Sequence, residues 1–254
     1  SITQTPLNEQ DLKTMSEAVE VLRQFKGFSY FTEMSDIINR LEDHVASARM
    51  KTTPVIDFEK NESLKGLDYL DTIYHAIVNE HPIQLKYRSF KARSANSFIF
   101  YPYLLKEYRN RWFVYGVRGN GRILQNLALD RIQSLEVLPQ EHYIKNTFFD
   151  PNTFFNDLVG VTKNSGSVAE KVGFKVAAAE APYIITKPIH RSQQVVERLA
   201  DGSVILEIEV VINHELERVF FRYAEGIQVL YPKTLVELMG RKLKKAAEQY
   251  THSK

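Results

Sequence analysis

Hydrophobic positions in the first 82 residues recur at helical spacing. Leu12, Met15, Val19 and Leu22 follow Asn8, Glu9 and Asp11, a capping residue and acids suited to the positive end of a helix. Gly27 is a plausible stop. Met34, Ile37, Ile38, Leu41 and Val45 predict a second helix, and Leu64, Leu67, Leu70, Ile73, Tyr74 and Ile77 a third from about Ser63. Pro54 blocks a helix between them.

At Ile83 the period changes to two. Ile83, Leu85 and Tyr87 alternate with Gln84, Lys86 and Arg88, as in a strand with one buried face. Further strands are expected at Ser97–Leu105, Arg111–Val117, Arg122–Ala128 and Arg131–Leu138, with a hairpin turn at Gly119-Asn120-Gly121. Five short, closely connected strands fit a small, strongly bent sheet or barrel. Residues 139–170 read as a linker, containing the Asn/Ser/Gly-rich run TKNSGS. Beyond it, Lys171–Val176 and Ser203–Ile212 read as strands. Asn213 caps a helix bearing Leu216, Val219, Phe220 and Tyr223, a strand follows at Ile227–Leu230, and Thr234–Tyr250 is a final amphipathic helix. The class is α+β, divided as 1–82 helical, 83–138 a small β domain, 139–170 linker and 171–254 a small α+β sandwich.

Charge sharpens this division. The net charge is only +2, but residues 83–133 carry 10 basic and 2 acidic side chains, net +8, against −6 for residues 1–82 and zero for 134–254. Ten aromatics also fall between Tyr87 and Tyr115. A dense basic segment in an otherwise neutral chain is the footprint of an anionic ligand, with solvated basic surface as the plain alternative. There is no cysteine, which removes disulfides and thiolate chemistry and fits a reducing cytoplasm. No apolar run approaches the roughly 20 residues of a membrane span. The seven histidines, His44, His75, His81, His142, His190, His214 and His252, show no metal-ligand spacing. Neither a GxSxG elbow nor a GxxxxGK[ST] loop is present. The chain is therefore expected not to be an enzyme and to need no cofactor.

Several motifs fall in one order along the chain: KYRS at Lys86–Ser89, Tyr101-Pro102 followed by Leu104, Trp112-Phe113-Val114 after Arg111, and LDRI at Leu129–Ile132. This succession resembles the WYL domain, whose namesake Trp-Tyr-Leu triplet falls on Trp112-Phe113-Val114. Pro188, His190, Ser192 and Gln193, with Val229-Leu230-Pro232 before the last helix, resemble the C-terminal extension of WYL-domain transcriptional regulators. The front segment is similar to the helices that follow the winged helix-turn-helix in those regulators.

The resemblance implies an Sm-like five-stranded β-barrel at 83–138 and a ferredoxin-like C-terminal domain. It also implies a cytoplasmic homodimer that senses an anionic effector, single-stranded nucleic acid or a nucleotide, and reaches promoter DNA through a winged helix of about 60–80 further residues ahead of Ser1. A stand-alone nucleic-acid-binding accessory protein that regulates a partner enzyme is the alternative, and a dimerisation module without a ligand is a third.

The candidate ligand contacts are Tyr87, Ser89, Lys91, Arg93, Arg111, Trp112, Arg118, Arg122 and Arg131. Arginine presents a planar fork that matches phosphate, and rings stack on unpaired bases. Each has a structural alternative. Trp112 at strand period fits core packing, Arg131 has Asp130 beside it as a partner, and loop lysines are commonly just solvated. Arg111, Arg118 and Arg122 flank one hairpin and are expected to converge. The triplet lacks the tyrosine hydroxyl at Phe113, and the positions before LDRI where the family often has arginine are Gln125 and Ala128.

Overall fold

A computed structural model describes residues 65–119, 121 and 123–251. The helices expected over residues 8–45 lie outside the described residues. The chain divides between Asn146 and Thr147 into two units.

In the first unit a 3-10 turn, Leu67–Tyr69, leads into helix α1, Leu70–Val78. Leu70, Ile73 and Ala76, spaced three apart, are buried on one helix face. Five antiparallel strands follow: β1 Ile83–Tyr87, β2 Asn96–Tyr108, β3 Arg111–Arg118, β4 Leu124–Ala128 and β5 Ile132–Val137. In β1 the alternation of the sequence becomes an alternation of burial, with Ile83, Leu85 and Tyr87 inside. They pack with Leu70, Ile73, Phe100, Val114, Leu127, Leu129 and Ile132 in one core.

The sheet order is β4-β3-β2-β1-β5. Strand β2 runs three residues beyond the expected end, because Lys106, Glu107 and Tyr108 pair with Phe113, Trp112 and Arg111. Its hairpin turns on Arg109 and Asn110, both at positive φ (51° and 59°), the pairing that a two-residue type I′ turn requires. Pro102 sits where the β2–β3 register shifts, a position at which its missing N–H costs no ladder bond.

Strands β4 and β5 are the two edges of this sheet, yet only the 3-10 turn Leu129–Arg131 separates them in sequence. Four strand spacings would set flat edges about 19 Å apart. The step from Ala128 to Ile132 covers at most about 14 Å fully extended and roughly 8 Å as a 3-10 turn. The sheet must therefore curl strongly. Among the described residues the edges form no ladder with each other, so the sheet is curled but not closed by hydrogen bonds. Gly66, at φ +85°, lies against the turn: a Cβ there would meet Leu129 C and O at 2.4 and 2.5 Å and Asp130 N at 2.7 Å. After β5 the chain returns along β2, where the Tyr143 hydroxyl donates to the Pro102 carbonyl and its ring meets Tyr101 and Tyr103 edge-on.

The second unit contains β6 Glu170–Val176, α2 Ala181–Thr186, β7 Gln194–Arg198, β8 Val204–Val210, α3 His214–Tyr223, β9 Ile227–Tyr231 and α4 Lys233–Thr251. Its strands lie in the order β7-β8-β6-β9, every neighbouring pair antiparallel. Phe174 of β6 and Phe220 of α3 are both buried, with ring centroids 5.2 Å apart, at the centre of a core completed by Leu206, Ile208, Leu216, Leu235 and Met239. Together the elements make a mixed α/β chain of antiparallel sheets.

Residues 147–163, within the stretch expected to be a linker, are docked on this unit. Leu158, Val159 and Val161 are buried. Asn213 does two jobs: its Oδ1 caps α3 by accepting from Leu216 N at 2.9 Å, and its Nδ2 donates to the Val159 and Thr162 carbonyls at 3.0 and 2.9 Å. The Asp157 carbonyl accepts from Val211 N at 2.8 Å. The turn 188–193 is tied down in the same way. Gln193 accepts from Ile189 N and donates to the Ile184 carbonyl, while the Ser192 hydroxyl accepts from Glu209 N and lies 2.7 Å from His190 Nδ1. The other side of the His190 ring meets the Asn156 backbone, and burial holds its pKa below the ordinary value.

Two predictions follow from these contacts. Gly66→Ala is expected to lower the unfolding free energy by at least about 1–2 kcal/mol from the left-handed backbone alone, with the clash adding to it. An unchanged urea midpoint would contradict the placement. His190 is kept neutral in the fold, so its contribution is complete above about pH 6.5 and is lost as pH falls through its lowered value. The urea midpoint should therefore drop from pH 7 to pH 5, and His190→Gln should flatten that slope. An identical slope in the variant would rule His190 out as the cause.

Candidate nucleic-acid interface

The LDRI motif forms the turn that joins the sheet edges, and three of the candidate side chains, Tyr87, Arg111 and Arg131, meet there. Arg131 is 26% exposed. Its guanidinium lies 4.5 Å from the centroid of the Phe90 ring, and it faces the Tyr87 hydroxyl. Phe90 itself is 74% exposed, so one ring face carries the arginine and the side chain otherwise stands in solvent. Tyr87 is buried at the end of β1, beside the register shift of the β1–β5 pair. Burial pushes its pKa up, opposed by Arg131 and by the Ala128 backbone, so the hydroxyl keeps its proton at neutral pH.

Asp130 sits between two arginines. Its Oδ2 is 3.3 Å from Arg111 Nε and its Oδ1 is 3.8 Å from Arg131 Nε, with the carboxylate side chain only 14% exposed. At 3.8 Å the second pair is not hydrogen bonded. Asp130 Oδ1 and Arg131 Nε are in fact both buried without a hydrogen-bond partner. A buried donor or acceptor left so costs on the order of 1–3 kcal/mol. The alternative partner foreseen for Arg131 is thus present, but the pairing leaves the Nε donor unfilled.

The expected convergence of Arg111 with Arg118 is not found. They begin and end β3, seven residues and therefore about 23 Å apart. Arg118 instead stacks on Phe98, 4.1 Å from the ring centroid, at the other end of the strand. Arg111 meets Arg131 through Asp130. Arg122 lies outside the described residues. Ser89, half-buried, opens a tight turn by accepting from Ala92 N at 3.0 Å, and Lys91 and Arg93 are exposed in the same loop. Trp112 is half-buried against the core and pairs with Glu107 in the ladder, so its packing role is met.

Two members of the cluster were not among the sequence candidates. Phe90 stands in a polar, basic loop where no periodicity marks it. Asp130 was read only as a neighbour of Arg131, although its place in the LDRI motif is the available signal. Among the described residues the first unit thus presents three guanidinium-on-ring contacts: Arg131 on Phe90, Arg118 on Phe98 and, more distant at 5.4 Å, Arg109 on Tyr108. Such stacks are worth about 0.5–1 kcal/mol at exposed sites. Among the described residues no group of three or more His, Asp or Glu is poised to hold a metal ion, and no helix is long and apolar enough to cross a membrane.

No curated protein matches the chain. Among solved structures it is similar to the proteasome accessory factor PafBC of Arthrobacter aurescens, at 16% identity and a TM-score of 0.30 over 76% of this chain and 28% of that one. A CRISPR Cas-related protein is similar at 12% identity and a TM-score of 0.44, over 73% of this chain and 52% of that one. The chain thus spans about a quarter and about half of these two proteins, a likeness too loose to carry fold or activity across. The domain matches are specific by contrast. Residues 68–137 match the WYL domain and residues 169–247 the WCX domain, the C-terminal extension seen in WYL-domain regulators, and the chain belongs to that family.

Proposed function

We propose that the first unit senses an anionic effector carrying flat bases, single-stranded nucleic acid or a nucleotide, and that the chain is the effector-sensing part of a transcriptional regulator. The observation that carries this reading is the Arg131–Phe90 stack beside Arg111, where phosphate-binding forks and an open aromatic ring meet within a segment of net charge +8. Phosphate selects the arginine forks. An unpaired base selects the ring, since every base has a stacking face. No chemical step is part of the reading, and the chain acts as a sensor rather than an enzyme.

The finer fold assignments belong to the same proposal. The order β4-β3-β2-β1-β5 with a 3-10 turn joining the edges favours an Sm-like barrel. The order β7-β8-β6-β9 over a β-α-β-β-α-β chain favours a ferredoxin-like second domain. In this reading the protein is a cytoplasmic homodimer that passes effector occupancy to a winged helix-turn-helix on promoter DNA.

The test is fluorescence anisotropy of the full chain with a short labelled single-stranded DNA at several salt concentrations. Binding should weaken with salt, with a logarithmic slope of about −0.7 for each phosphate contacted. Phe90→Ala should cost about 1–3 kcal/mol of binding, the usual worth of one stacked base. Absence of binding even at low salt, or full affinity in the Phe90→Ala, Arg131→Gln double variant, would defeat the proposal.

A further inference from the structure

We infer that Asp130 is a built-in competitor: it occupies the Arg111–Arg131 site in the free protein, and the effector's phosphate must displace it. The inference rests on reading this cluster as an anion site, and it adds what sets the affinity there. Asp130 and Glu107 are the only acids in residues 83–133. Among the described residues Asp130 alone stands within ion-pair distance of two arginines, at 3.3 and 3.8 Å.

As a partner it is badly placed. Asp130 directly precedes Arg131 in a 3-10 turn, and adjacent residues on such a turn do not face each other. The carboxylate therefore cannot meet the Arg131 fork with two parallel bonds, as a well-oriented carboxylate would. The outcome is visible in the geometry, since Oδ1 and Nε confront each other in a buried position with neither bonded. Asp130 cancels charge without filling the Arg131 Nε donor. A phosphate has more acceptor oxygens and is not tethered to the turn, so it can satisfy both guanidinium groups once the carboxylate swings out. The buried Nε becomes reachable by that same movement. In the free protein the carboxylate also screens the arginines, which disfavours weak or singly contacting anions.

A residue that merely props Arg131 in position and a residue that competes for it give opposite signs on removal. With Asp130→Asn, competition predicts binding of the labelled single-stranded DNA about fivefold tighter than wild type, the upper range for a part-exposed charge pair. Inorganic phosphate should also raise the variant's thermal midpoint more than it raises the wild type's. Weaker DNA binding by the variant, or equal phosphate stabilisation of the two proteins, would overturn the inference. Where the amide variant fails to fold, Asp130→Ser removes the same charge and carries the same expectation. The two readings separate cleanly. Phosphate stabilisation that rises in Asp130→Asn, with no DNA binding by either protein, would retain the competitor and discard nucleic acid as the effector. DNA binding by the wild type that is lost in Asp130→Asn would do the reverse.

Discussion

The connection between the edges of the first sheet is the constraint on which the rest of that unit depends. Three residues, Leu129 to Arg131, carry the chain from β4 to β5 although three strands lie between them in the sheet. A flat sheet cannot meet that condition, so the sheet curls, and curling wraps the core of Phe100, Leu85 and Val114 that makes the unit stable. Leu129 is fully buried and anchors the turn from within. Its two successors instead set their charged groups beside Arg111 and the Phe90 ring. Core and candidate site are thus opposite sides of one short segment, and the hydrophobic demand on Leu129 fixes where Asp130 and Arg131 stand.

Much of this was legible in the sequence. Period-two alternation marks β1, and the capping Asn213 marks α3, because a single burial pattern or one hydrogen bond dominates at each. What escaped the pattern had physical reasons. Strand β7 is exposed along its whole length, so its residues carry no alternation to read. The extension of β2 depends on Arg109 and Asn110 adopting positive φ, and arginine is not a residue that advertises such a turn. The stretch 147–163 reads as a linker because its PNTFFND run, and the TKNSGS run that overlaps its end, carry the Asn, Ser and Gly that favour flexibility. Its order comes instead from backbone carbonyls that accept from Asn213 Nδ2 and Val211 N, partners more than 50 residues away.

The candidate site divides in the same manner. Residue type and charge density pointed to the first unit, and the LDRI motif to the turn at which Arg111, Asp130 and Arg131 meet. Pairwise convergence was beyond reach, because it depends on strand length and curl. Arg111 and Arg118 look like neighbours beside a hairpin, but an eight-residue strand keeps them apart. Arg111 and Arg131 are 20 positions apart and are brought to one carboxylate by the closing turn. Phe90 gains its meaning only from the cation above it.

Gly66 gives that turn a mechanical side. The place a side chain would take at Gly66 is filled by the Leu129 carbonyl and the Asp130 amide, so backbone faces backbone with no side chain between them to deform. Side-chain contacts absorb small displacements by changing rotamer, whereas backbone pressed on backbone transmits them. The joint therefore behaves as a bearing without play. A shift of the peptide that carries Asp130 is handed on, undamped, to the start of α1 four residues further along.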